Sequence, residues 1–363
     1  MRSSLFRLAV AAVIAAAIPV SLAGQQSKAK APKTPWGHPD LQGLWNAATM
    51  TPLERAPQFK DRLTMTEEEA KQLEGAQKDR TKRLDNPSDG NRQAPPVGGD
   101  GSPGASGNVG GYNYFWIDPG DTYNRVDGQL RTSLLVDPPD GRVPPTLPEA
   151  MKRNQARLRA TPTSDAAENA ETKAPGAYDN IEQRPLGERC IIAFSSSSGP
   201  PMLPTYFYNN MKQVVQTKDY VMILTEMVHD VRIIPFKTTH APDSIRNWFG
   251  DSIARWDGDT LVVETTNFND KTRFRGSSDK LKVTERFNRV DDKTLLYRFT
   301  IEDPLTWARP WTGEYTWAYA KPDDQLYEYA CHEGNYAMVG IMKGARILED
   351  EEAVTKAQFD SPR

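Results

Sequence analysis

Cysteine, histidine and long apolar runs are all scarce in this chain, and each scarcity narrows what it can be. Two of its 363 residues are Cys and four are His. Neither Cys190 nor Cys331 has CxxC spacing, which excludes a paired-thiol redox motif. His38, His229, His240 and His332 show no HxH, HxxxH or HExxH spacing. The reading is therefore no cofactor and no metal, with a divalent ion through His229, His240 and His332 as the minority alternative. No GxSxG occurs, and Ser195–Ser198 reads as a polar loop, so a serine hydrolase is disfavoured. After residue 23 nothing approaches the ~18 apolar residues of a membrane helix, so membrane insertion is not expected. A basic surplus is missing too. Forty-five Lys and Arg face 48 Asp and Glu, which argues against a nucleic-acid partner.

What is present begins with an export signal. Arg2 and Arg7 precede an apolar run from Leu8 to Ile18, and Ser21-Leu22-Ala23 supplies small residues before a cleavage point. Removing 1–23 leaves 340 residues and takes the formal charge from −3 to −5. No Cys follows Ala23 to carry a lipid. The address is periplasm or secreted. In such a compartment Cys190 and Cys331 are expected to pair, the alternative being one reactive thiol. The bridge closes about 140 residues, worth ~4–5 kcal/mol on the chain-entropy model, and joins the first core strand to the last.

The chain divides into the signal (1–23), an N-terminal section (24–111) and a β domain (112–363). The N-terminal section holds an arm with Trp36 and Trp45, a surface helix over 66–84 and a loop at 86–111 with eight Gly and four Pro. Thr66 with Glu69, and Thr146 with Glu149, are capping boxes for helices at 66–84 and 147–159. A third helix is expected near 349–359. From 190 the pattern becomes period two, with strands at 190–194, 212–217, 220–227, 231–236, 252–256, 260–266, 281–289, 294–302, 312–320 and 325–331. Short turns join many of them, Asp257-Gly258-Asp259 most clearly. A meander this long closes to remove its edges. The fold class is mainly β: an antiparallel meander closing into a lipocalin-like barrel, with a small propeller or a sandwich second.

Four stretches carry a resemblance: Pro35–Trp45, Arg131–Arg142, Trp256–Phe268 and Tyr327–Tyr336. Together they resemble a large group of exported bacterial proteins, over nearly the whole mature chain. The resemblance implies export and a common fold, and it transfers no catalytic residues.

Candidate chemistry comes from strand faces. Leu281, Val283, Glu285 and Phe287 share one face, as do Leu295, Tyr297, Phe299, Ile301 and Asp303. A carboxylate on an apolar face is either paired or shifted upward in pKa. For Glu285 a salt bridge is the first reading, with Arg286, Arg298 or Arg309 as partner. Asp303, at a strand end before Pro304, is equally a candidate acid or base. His229-Asp230 and His332-Glu333 point to opposite faces within each pair, so a dyad needs His229 with Glu333 or His332 with Asp230. Trp311, Tyr315, Trp317 and Tyr319 share parity, as core or as a pocket wall. Asn209, Asn210, Arg309, Trp311 and Tyr329 are the expected substrate contacts. The expected function is an acid–base enzyme (lyase, hydratase or hydrolase) acting on a small apolar or aromatic molecule. The alternatives are a carrier for such a molecule and a structural envelope protein.

Overall fold

The computed structural model describes residues 31–86, 91, 93, 117–160, 178–192, 198–205, 208–269 and 274–360. The expected signal and most of the glycine-rich stretch lie outside them. The main sheet is the expected meander. It contains β6 (Met211–Gln216), β7 (Tyr220–Thr225), β8 (Val231–Pro235), β9 (Asp251–Asp257), β10 (Thr260–Thr266), β11 (Lys282–Arg289), β12 (Thr294–Glu302) and β13 (Trp311–Tyr319). The arm does more than pack on this body. Its β1 (Gly43–Asn46) lies between β6 and β13, giving the order β8-β7-β6-β1-β13-β12-β11-β10-β9. β5 (Leu135–Asp137) shares the same edge of β13 with β1, pairing at Thr312 and Gly313 while β1 pairs at Ala318 and Tyr319. A small sheet of β2 (Thr64–Met65), β3 (Arg125–Val126) and β4 (Gln129–Arg131) packs beside it.

The nine strands on this path alternate in direction, which puts the first and the last parallel. The sheet is nearly closed: among the described residues these two meet through one parallel bridge between Phe236 and Ala254. Register then sets the interior. Trp256, Leu261, Phe287, Tyr297 and Tyr315 are successive cross-strand partners, a row of side chains on the inner face. With Trp45, Phe299, Trp311 and Trp317 they fill the barrel. Gly313 is required here, because a Cβ would collide with the Phe299 ring. Gly258, at φ +59°, turns β9 into β10.

α1 (Glu67–Leu84) carries both bonds of the Thr66–Glu69 capping box. α2 spans Pro148–Ala160, so the expected cap Thr146 lies two residues before it and bridges Trp307 instead. α3 starts earlier than expected and runs Tyr336–Asp360, with Met338 N donating to the Asn335 side chain at its start. Two expected strands need correcting. The described part of 190–194, residues 190–192, is a turn and bend with Cys190 at φ +57°, while 193–194 lie outside the described residues; 325–331 pairs with no strand. Cys190 and Cys331 form the expected disulfide, with Cα atoms 5.7 Å apart. It thus joins a turn to an unpaired segment, rather than a first strand to a last. Among the described residues no helix is long and apolar enough to cross a membrane.

Candidate functional site

With its interior filled, the barrel presents a large cleft outside, at one end. The cleft measures about 1320 Å³ and lies between the start of β6, the corner after β7, the 323–335 segment and the first turns of α3. The disulfide holds the wall, since Cys331 lies within it. Asn335 Nδ2 donates to Glu188 O at 2.7 Å and fixes the wall's lower edge. Glu226, almost fully buried, ties wall to barrel: it accepts from Tyr327 N at 3.0 Å and from Met211 N at 3.3 Å. Tyr208 stacks near Tyr329 with ring centres 6.3 Å apart, over Met227 and Val228.

The charge of this cleft is one-sided. Asp118, Glu188, Glu226, Asp323, Asp324 and Glu328 line it, with no Lys, Arg or His among the lining residues. Tyr208, Tyr327 and Tyr329 supply ring faces. The arrangement suits a cationic or hydroxyl-rich molecule with a flat apolar part, through cation–π and carboxylate contacts.

Of the expected contacts, Asn209, Asn210 and Tyr329 come together here. Asn209 holds φ +56°, a left-handed conformation that Asn tolerates. The Asn210 amide is engaged structurally, accepting from Thr205 N and donating to Asp118 O. His229 stands beside the cleft, its Nδ1 3.2 Å from Tyr329 O. The other candidates are dispersed. Asp230 accepts from Ser198 Oγ at 2.5 Å. His332 and Glu333 are exposed on a turn, and the cross-strand dyads do not form because 325–331 pairs with no strand. Asp303 accepts from Ser278 N and Oγ, Leu305 N and Thr306 Oγ1, so its carboxylate organises the β12–β13 connection. Trp311 is core, packed on Phe274, Phe299 and Trp307. Arg309 pairs with Asp137 at the surface, 2.7 Å away.

Glu285 is paired, but with Arg232 rather than the neighbours expected. Arg232 donates through Nη1 to Oε1 at 3.0 Å and through Nη2 to Oε2 at 2.6 Å. Tyr297 OH also donates to Oε1, at 2.8 Å, and accepts from Met202 N. Burial, then the charge of Glu285, raises the Tyr297 phenol well above its usual range. His240 lies between Asp251 (2.8 Å) and Glu264 (3.4 Å). Burial alone would raise Glu264; Lys282 and His240 outweigh it and hold that carboxyl below its ordinary value. Among the described residues no three His, Cys, Asp or Glu are placed to hold a metal ion.

Lys212 was missed by sequence reasoning. It follows Met211 of the cleft wall and faces inward with Val214 and Gln216, fully buried. Burial drops its pKa to about 7, against the pull of Asp230 and Glu226. Its parity with Val214 was the available signal. Comparison with protein-family models, with curated proteins and with solved structures brings no match.

Proposed function

We propose that the protein is an exported binding protein, periplasmic or secreted, that takes a small cationic or hydroxyl-rich molecule with an aromatic or apolar part into the end cleft. One observation carries this reading: three tyrosines and six acidic residues, of which Glu188 is paired with Arg184, line a large cleft with no basic side chain among its described lining residues. The disulfide and the structural role of the wall fit an exported receptor. The test is calorimetry on the mature chain with 2-naphthylmethylammonium and with neutral sugars. Saturable binding of either, weakened about tenfold by Tyr329→Ala, supports the reading. Binding of neither, or binding that Tyr329→Ala leaves unchanged, rejects it.

A second reading keeps the acid–base enzyme expected above, a lyase, hydratase or hydrolase. It is favoured by Glu226 at the cleft wall with the readily neutralised Lys212 behind it. In that case Glu226→Gln abolishes turnover of a bound ligand without releasing it. A carrier gives no product with either form.

A further inference from the structure

A second cleft, of about 550 Å³, opens where the barrel fails to close. β8 and β9 meet through the Phe236–Ala254 bridge, and beyond it their facing edges carry no ladder. The walls of this seam mix polar groups with three large side chains open to solvent: Ile233 is 66 % exposed, Tyr220 49 % and Trp248 39 %. Exposed rings and an aliphatic chain beside charged groups offer a ring-bearing ligand both kinds of contact.

The lining differs in sign from that of the end cleft. Arg232, Lys237 and Arg246 line the seam; Arg232 is paired with Glu285 and Arg246 with Asp279, which leaves Lys237 as the open cation. One acid, Asp251, lines the seam with them. That acid is already engaged, by His240 Nδ1 at 2.8 Å and Ala241 N at 2.9 Å. Lys237 is exposed and has no ion-pair partner among the described residues. Arg246 is partly engaged: Nη1 donates to Phe268 O at 3.3 Å and to Asp279 O at 3.4 Å, and Nη2 pairs with the Asp279 carboxylate at 3.7 Å at the exposed rim. Arg232 is nearly fully buried, and its Nε finds no partner among the described residues although both terminal nitrogens are bonded. Lys237 is therefore the charge most open to an anionic ligand, with Arg246 beside it.

We propose that the seam is a separate ligand site for a small aromatic carboxylate. Lys237 and Arg246 take the carboxylate, and Tyr220, Ile233 and Trp248 take the ring. The site is distinct from the end cleft in place and in sign, and a ligand suited to one is repelled by the other.

Calorimetry on the mature chain with 2-naphthoate tests this, with Trp248 fluorescence as a second readout. Wild type binds one equivalent, and added salt weakens the binding. Lys237→Ala, an exposed position whose change leaves the fold intact, weakens it about tenfold, and Trp248→Ala removes the fluorescence response. Tyr329→Ala, in the other cleft, leaves naphthoate affinity unchanged. Three results overturn the proposal: a wild-type Kd weaker than about 10 mM, a Lys237→Ala affinity within about twofold of wild type, or an equal loss in Tyr329→Ala.

Discussion

The end cleft and the seam differ in what their walls are made of as well as in charge. The end cleft borrows an unpaired segment, fastened to the barrel by one disulfide, a tyrosine stack and the Glu226 carboxylate. The seam is cut into the sheet itself, and its wall includes Arg232, whose pair with Glu285 belongs to the core. A site on a fastened segment can adjust without disturbing the fold. A site on strands is fixed as firmly as the strands are. Chain geometry decided which is which: residues without a ladder form one wall, and strands with a ladder on one edge form the other.

That contrast predicts unequal costs. Arg232→Ala leaves Glu285, 0 % exposed, as an unpaired buried charge, and urea titration is expected to register a loss of about 3–5 kcal/mol. Glu226→Gln, at the end cleft, costs far less; equal losses would erase the distinction between the walls. Next, replacing both Cys190 and Cys331 by Ser is expected to lower stability by about 2–5 kcal/mol. It also weakens cation binding at the end cleft and spares naphthoate at the seam. Parallel loss of both affinities would show the two sites to be one unit.

Lys212 sharpens the comparison through pH. Its folded value of about 7 lies below its ordinary 10.5. Between those values the unfolded chain binds more protons, so stability rises with pH across that window. Below pH 7 the cost of the buried charge is present in full; above 10.5 it is gone. Lys212→Met is expected to flatten stability over pH 7–10 relative to wild type in thermal melts. A slope retained in the variant would place its origin elsewhere. The smallest effect is expected for Arg309→Ala, whose exposed pair with Asp137 touches neither cleft. Stability should move by less than about 0.5 kcal/mol, and neither affinity should change.

The meander was legible because alternation survives in strands of six to nine residues, β6 and β13 for example, and because Asp257-Gly258 marks its turn. β1 was not, because four residues in a Pro-rich stretch are too few to display a period. The stretch 325–331 alternates like a strand, yet Tyr327 and Tyr329 serve the cleft wall instead of a ladder. Parity also explains the mixed outcome at the site. It placed Trp311 and Glu285 on the inner face, but parity cannot tell a filled interior from a hollow one. Asn209, Asn210 and Tyr329 reached the cleft through loops, where no periodicity operates. The sign of each cleft was invisible, since it depends on which distant side chains share a wall.

The closing seam has a mechanical consequence. β8 and β9 meet in parallel through a single bridge among the described residues, so the tube is held there by one stitch rather than by a ladder. Breathing of the tube therefore has a preferred starting line along Val231–Phe236 and Asp251–Ala254, and a molecule wedged there would act as a clasp on the whole cylinder.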